Sequence, residues 1–221
     1  MFLLAIIVIL SYLVGSIPTS IIVSKAVKGI DIREHGSGNA GGSNVMRVLG
    51  WKHGLMVIIL DALKGVLAVV VVARLHYGGL PFANISPFDD FTLVQIIAGI
   101  AAVAGHIWTV FAGFKGGKGI ATALGIMIVI VTVDMLIALG VFVLVVTFSR
   151  YISLGSIFAA VSVPVAMVLR ENVFHEHIVG YNTLLPFVIA VSVLVILTHR
   201  KNVIRLLNGT ENKLSFKNKL S

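Results

Sequence analysis

The chain contains no cysteine. Disulfides, thiolate metal sites and a thioester carried on the protein are therefore excluded. Charge is scarce: Asp, Glu, Lys and Arg make up 12% of the 221 residues, against about 25% in ordinary soluble domains. Acids are scarcer still, with 9 Asp and Glu against 17 Lys and Arg, for a net charge of +8. Hydrophobic residues fill 58% of the chain and the mean hydropathy is +1.05. A soluble domain and a disordered chain are both excluded by this balance, since disorder needs low hydrophobicity and high charge. In a soluble protein the excess positive charge would point to nucleic acid. Here it points to anionic substrates or anionic lipid, and no nucleic-acid partner is expected.

A helix needs about 20 apolar residues to cross about 30 Å of hydrocarbon. The apolar runs predict an all-α integral membrane protein with a single transmembrane domain over 1–221, its spans near 2–23, 54–73, 91–114, 119–133, 135–149, 152–169 and 181–198. The first run lacks a basic leader and an A-x-A cleavage site, so it reads as a retained span and not a signal peptide. Pro164 and Pro186 fall inside spans, as membrane helices tolerate. The run Gly119 to Ser149 is broken only by Asp134. As one helix it would be about 46 Å long, so a turn at Asp134 dividing it into two spans is expected.

The positive-inside rule selects seven helices, with the N-terminus outside and the C-terminus cytoplasmic. That arrangement collects 14 of the 17 basic residues on one side, including Lys25, Arg47, Lys118 and Arg150, and, in the tail, Arg200, Arg205, Lys213, Lys217 and Lys219. Arg74 and Arg170 fall on the other side with most of the acids, and Lys64 stays in the membrane. Six helices would put the basic tail opposite the basic first loop. The tail also carries Leu206, Leu207, Leu214 and Phe216. It either lies on the inner leaflet, attracted by anionic lipid, or is solvated beyond Asn212.

Four polar segments gather on the inner side of this topology. The first is Ser37-Gly38-Asn39-Ala40-Gly41-Gly42-Ser43-Asn44, followed by Arg47. Glycines permit left-handed backbone and close approach, and successive amides form anion nests. Arg47 adds a forked cation suited to phosphate. A flexible loop is the alternative for this segment alone. The second runs from Gly105-His106 to Lys115-Gly116-Gly117-Lys118-Gly119-Ile120-Ala121-Thr122. A glycine turn opening onto a helix start favours an anion through amides and dipole. The Walker A spacing is absent, so this is no nucleotide loop; a plain basic turn is the alternative. The third, Arg150-Tyr151-Ile152-Ser153-Leu154-Gly155-Ser156, opens a span, where a serine is commonly a cap. The fourth is His199-Arg200-Lys201-Asn202 with Arg205, Gly209 and Glu211.

Asp61 and Lys64, three apart, share a helix face within the hydrocarbon, where charge is costly unless paired. A structural ion pair supporting the site is the reading, with a proton relay the alternative. Asp61 is the one acid inside a span, so a metal site is not expected.

Together Ser37-Gly38-Asn39-x-Gly41-x-Ser43-Asn44-x-x-Arg47, Gly105-His106 through Thr122, Ser153-Leu154-Gly155-Ser156 and His199-x-x-Asn202 resemble the acyl-phosphate:glycerol-3-phosphate acyltransferase (PlsY) family of bacterial inner membranes. Ser43 stands where that family usually has Thr, which keeps the hydroxyl. The resemblance implies a multi-pass inner-membrane enzyme with a cytoplasmic site. It implies transfer of a fatty acyl group from acyl phosphate to the 1-hydroxyl of glycerol 3-phosphate, the first acylation of phospholipid synthesis. The products would be lysophosphatidic acid and phosphate. No cofactor or metal is implied, and a monomer in the lipid bilayer is expected.

On this reading Ser37, Asn39, Ser43, Asn44, Arg47, His199, Asn202 and Arg205 hold glycerol 3-phosphate. Gly116, Gly117, Lys118, Gly119, Thr122 and Ser153 hold the acyl phosphate. Ser153, His199, Lys118 and Arg47 carry the chemistry; His106, Asp61, Lys64 and Glu211 support it. Acyl phosphate is an activated anhydride, so positioning the hydroxyl and neutralising charge suffices. No histidine has Asp five residues later, which removes the His-x4-Asp acyltransferase mechanism. The rival is a transporter or scramblase for organic phosphates, which would need ionisable residues in several spans.

Overall fold

Pro18 decides the shape of the first apolar run. In the computed structural model, which describes residues 2–213, that run is two helices, α1 (Phe2–Gly15) and α2 (Thr19–Lys28). Proline lacks an N–H and disfavours helix in the residue before it, so the span expected over 2–23 is built from two helices with a break between them. The interruption exposes carbonyls that lipid cannot satisfy, and side chains take them. Thr109 Oγ1 donates to the Ser16 carbonyl and Lys64 Nζ to that of Ile17 at 3.0 Å.

The remaining helices are α3 (Gly42–Leu49), α4 (Trp51–Leu67), α5 (Asp90–Ile107), α6 (Ile120–Ile130), α7 (Thr132–Ser149), α8 (Ile152–Asn172), α9 (Tyr181–Thr198) and α10 (Arg200–Leu207). A π-helical turn, Ala68–Val72, and a 3-10 turn, Ala73–Leu75, prolong α4. The wide turn frees the Val69 carbonyl, and Gln95 Nε2 donates to it at 2.8 Å. Among the described residues six stretches are long and apolar enough to cross a membrane: Phe2–Lys28, Trp51–Leu75, Asp90–Ala112, α7, α8 and α9. Helix α6 is apolar but has only 11 residues, about 16 Å at 1.5 Å per residue.

The chain forms two units, Met1–Ile130 and Val131–Ser221. In the first, α1 packs on α5, and α4 packs on α3 and α6. Helices α4 and α6 approach closely because a Cβ at Gly65 or Gly125 would overlap the facing carbonyl of Thr122 or Ala62. Small residues of this kind let membrane helices associate where lipid supplies no hydrophobic drive. In the second unit α8 packs between α7 and α9, and α10 touches both α8 and α9.

The turn expected at Asp134 lies three residues earlier, at Val131. Asp134 stands in the first turn of α7, where an acid suits the helix dipole, and is buried against Arg170 of α8 at 2.8 Å. The ion pair makes helix the better state for this residue. The tail positions Leu214, Phe216, Lys217 and Lys219 lie outside the described residues.

Candidate active site

In the first unit the Ser37 segment is a doubled turn, with Gly36 and Gly38 at φ +62° and +72°. Its geometry is set from beneath by Asn44, 1% exposed. Asn44 Oδ1 accepts the Ser37 N–H at 2.8 Å, and Nδ2 donates to the carbonyls of Ile32 (3.0 Å) and His35 (2.9 Å). Both N–H donors of that amide are thereby used. Asn44, expected as a substrate ligand, stands here as the scaffold that presents Ser37. Ser43 and Arg47, four apart on α3, share an exposed face. Ser37 is also exposed and Asn39 half-buried.

The second segment is glycine-rich for a different reason from the one the sequence suggested. The Gly116 N–H donates to the Ile107 carbonyl at 3.0 Å and the Gly117 N–H to that of His106 at 3.1 Å. A Cβ at Gly116 would overlap the His106 carbonyl, and one at Gly117 would meet His106 Nε2 and the Ala40 carbonyl. These glycines serve close approach, and their amides, expected to hold a phosphate, are already used. Thr122, expected beside the acyl phosphate, is fully buried with its hydroxyl 3.3 Å from His106 Nδ1. What remains open is Lys115 and Lys118, both exposed, and the start of α6, reached through Gly119 at φ +75°. First-turn amides of a helix have no intrahelical acceptor and carry the positive end of its dipole. Among the described residues Arg47, Lys115 and Lys118 have no carboxylate within 4.0 Å.

Beneath the glycine turn lies a buried polar cluster. Asp61 Oδ1 receives Lys64 Nζ at 2.9 Å and the Thr19 hydroxyl, and stands 3.5 Å from His106 Nδ1. Thr19, Lys64, His106, Thr109, Ala40 and Gly117 border a cavity of about 10 Å³, room for about one water. Thr19 and Thr109 were not singled out from sequence. The signal was Pro18, because a broken span obliges polar side chains to gather around its free carbonyls.

The second unit has its own hub. Glu211, 7% exposed, accepts from the Ser153 hydroxyl (2.9 Å), Asn202 Nδ2 (2.9 Å) and Arg205 Nε (2.7 Å). Burial pushes its carboxyl up, but the bonds from Asn202, Arg205 and Ser153 outweigh that and hold it below the ordinary carboxylate value. An ionised carboxylate only accepts. Ser153 therefore spends its proton on Glu211 and keeps its lone pairs free, and Asn202 keeps its carbonyl oxygen free. His199 Nδ1 lies 2.8 Å from the Val195 carbonyl, so Nδ1 carries the hydrogen and Nε2 is the acceptor of the neutral ring.

A family model for glycerol-3-phosphate acyltransferase matches residues 5–209. A glycerol-3-phosphate acyltransferase of Chlorobaculum tepidum is 48% identical, over 95% of this chain and 96% of that one. One from Chlorobium phaeobacteroides (strain BS1) is 48% identical over 98% of both. The crystal structure of PlsY (YgiH), an integral membrane glycerol 3-phosphate acyltransferase, in its glycerol 3-phosphate form superposes with a TM-score of 0.67 at 35% identity, covering 96% of each chain. Its lysophosphatidic acid form gives 0.65. With its apolar spans this is a multi-pass integral membrane protein. Matched along nearly its whole length, the chain belongs to the glycerol-3-phosphate acyltransferase family.

Proposed function

We propose that this enzyme transfers a fatty acyl group from acyl phosphate to the 1-hydroxyl of sn-glycerol 3-phosphate. The hydroxyl oxygen attacks the carbonyl carbon, and the tetrahedral intermediate collapses with cleavage of the acyl–phosphate C–O bond. Inorganic phosphate leaves with the bonding pair and the hydroxyl proton, and the ester formed is lysophosphatidic acid. The observation that carries this reading is the set of exposed cations with no carboxylate partner among the described residues, Arg47, Lys115 and Lys118, on glycine-rich segments of an acyltransferase-family chain. Both substrates are phosphates, and charge-assisted bonds to phosphate are the strong ones.

The first unit supplies Arg47, Ser37, Asn39 and Ser43 to glycerol 3-phosphate. It supplies Lys118, Gly119 and the α6 amides to the acyl phosphate and the oxyanion. We assign Asn202, Arg205 and His199 to glycerol 3-phosphate, and Ser153 to the acyl phosphate, as an acceptor that orients the attacking hydroxyl. Transfer is direct, with a donor phosphate oxygen as base, since phosphate has a second pKa near about 6. Acylation of Ser153 would need a base beside it, and Glu211, held below the ordinary carboxylate value, is a weak one. Helix α6 counts as a seventh membrane-embedded helix. The N-terminus lies outside and the C-terminus and site on the cytoplasmic side of a bacterial inner membrane. The protein acts as a monomer without metal.

Purified detergent-solubilised protein, palmitoyl phosphate and labelled glycerol 3-phosphate, without metal or CoA, test this directly. Lysophosphatidic acid with stoichiometric phosphate is the expected result. Product from acyl-CoA alone would overturn the donor, and none from either donor with folded protein would favour the transporter. Acyl-Ser153 formed in the absence of acceptor would refute direct transfer.

A further inference from the structure

Asp31 and Arg33 carry no role in the reading above, yet their geometry is specific. Arg33 Nε donates to Asp31 Oδ1 at 3.0 Å and Nη2 to Oδ2 at 2.7 Å, while Oδ1 also takes the Arg33 backbone N–H at 3.0 Å. The other arm, Nη1, donates to the Ala112 carbonyl at 2.8 Å, 79 residues along the chain. Ala112 closes the 3-10 turn Val110–Ala112. It leads through Gly113 and Phe114, both at positive φ, to Lys115 and Gly116. One guanidinium thus joins the first glycine-rich segment to the second. Apolar packing runs the same way, because Ala112 lies against the buried cluster that holds Ile32, Ala40 and Val45. Beside this seam opens a cleft of about 390 Å³, lined by Asp31, Arg33, Glu34, Gly38, Lys115 and Gly116.

A phosphate ligand is the other role open to such an arginine. The geometry opposes it, because the fork that would grip phosphate is occupied by a carboxylate of matching shape. The Arg33 hydrogen bonds hold the Asp31 carboxyl down at about 2, so the pair stays ionised and mutually neutralised through the physiological range. We propose that Arg33 is a positioning residue: fixed by Asp31, it straps the Ala112 turn to the first loop and sets the width of the cleft between the two glycine-rich segments. Cleft width governs how well a phosphate-bearing substrate is held, since small displacements of binding groups cost large factors. This rests on the acyltransferase reading above. Lysine cannot replace this arginine, because one ammonium cannot span both acceptors as the planar fork does.

The experiment uses Arg33→Ala, Arg33→Lys, Asp31→Asn and the Asp31→Asn/Arg33→Ala double variant. Each single change is expected to raise KM for glycerol 3-phosphate or palmitoyl phosphate about 10- to 100-fold, with a smaller effect on kcat. The double variant is expected to be no worse than the worse single, as for residues acting as one unit. Because there is no native cysteine, spin labels at His35→Cys and Phe111→Cys report the loop separation without turnover. The distance distribution should be narrow in the parent and broad in Arg33→Ala and Arg33→Lys. If Arg33 instead binds phosphate, Asp31→Asn frees its charge, KM falls and the distance stays narrow, which overturns the proposal. Unchanged KM across the set overturns it too. An inactive parent that still gives the narrow-to-broad change would sink the activity reading and support the strap. Should Arg33→Ala not fold, Arg33→Lys and Asp31→Asn carry the same two readouts.

Discussion

Replacing Glu211 by Gln tests the second unit's hub most sharply. The side chain keeps its size, but one acceptor oxygen becomes a donor pair facing Ser153 and Asn202 on one side or Arg205 on the other. All three neighbours donate, at 2.7–2.9 Å, so at least one hydrogen bond becomes a donor–donor clash. Bonds to charged groups are worth about 1.5–3 kcal/mol each. The Arg205 side chain is 44% exposed, so its share is small after screening. Gln turns its amine toward Arg205 and keeps its oxygen on Ser153 and Asn202, whose bonds lose only their charge assistance, about 1 kcal/mol each. The sum of about 2 kcal/mol is about 30-fold in kcat/KM. Glu211→Asp, one methylene short, should lose about tenfold, because it keeps the charge and cannot reach every donor. The assay is release of labelled lysophosphatidic acid from palmitoyl phosphate, with melting in detergent as a control. Activity of Glu211→Gln within about threefold of the parent would refute the idea that this carboxylate orients Ser153 and Asn202. A carboxyl depressed on folding adds stability above its unfolded value, and that stability fades as pH falls through the folded value. The latch is therefore complete above about pH 4.3, and the Gln deficit should be the same at about pH 6 and about pH 8.

Other outcomes follow from the first unit. Lys118→Ala, at an exposed position, should abolish turnover while leaving the thermal midpoint unchanged; near-normal activity would remove Lys118 from the site. Asp61→Leu or Lys64→Met alone strands a buried charge and should cost about 3–5 kcal/mol, read as a fall of about 10 °C or more in Tm. The Asp61→Leu/Lys64→Met double variant should recover most of that loss, and a simple sum of the two losses would contradict a paired cluster. Gly117→Ala drives a methyl against His106 Nε2 and the Ala40 carbonyl, so a destabilisation of about 1–3 kcal/mol by thermal melting is expected.

Much of this protein can be read from its sequence, because hydropathy and charge asymmetry are local properties that survive without knowledge of neighbours. The apolar runs locate the long helices, the lone Asp61–Lys64 spacing anticipates their shared face, and the glycine-rich and basic segments are where the sequence leads us to expect phosphate chemistry. Tertiary structure decided which of those polar groups are spent. Asn44, Gly116, Gly117 and Thr122 have the right chemistry for a ligand, and packing has already given their hydrogen bonds to the chain itself. It also moved the expected turn from Asp134 to Val131, because Arg170, 36 residues away, pairs with that acid. Glu211 reaches Ser153 across 58 residues and Arg33 reaches Ala112 across 79. No periodicity encodes such pairings. A buried polar group must find a partner wherever the folded chain brings one, and only the packed helices determine which partner that is.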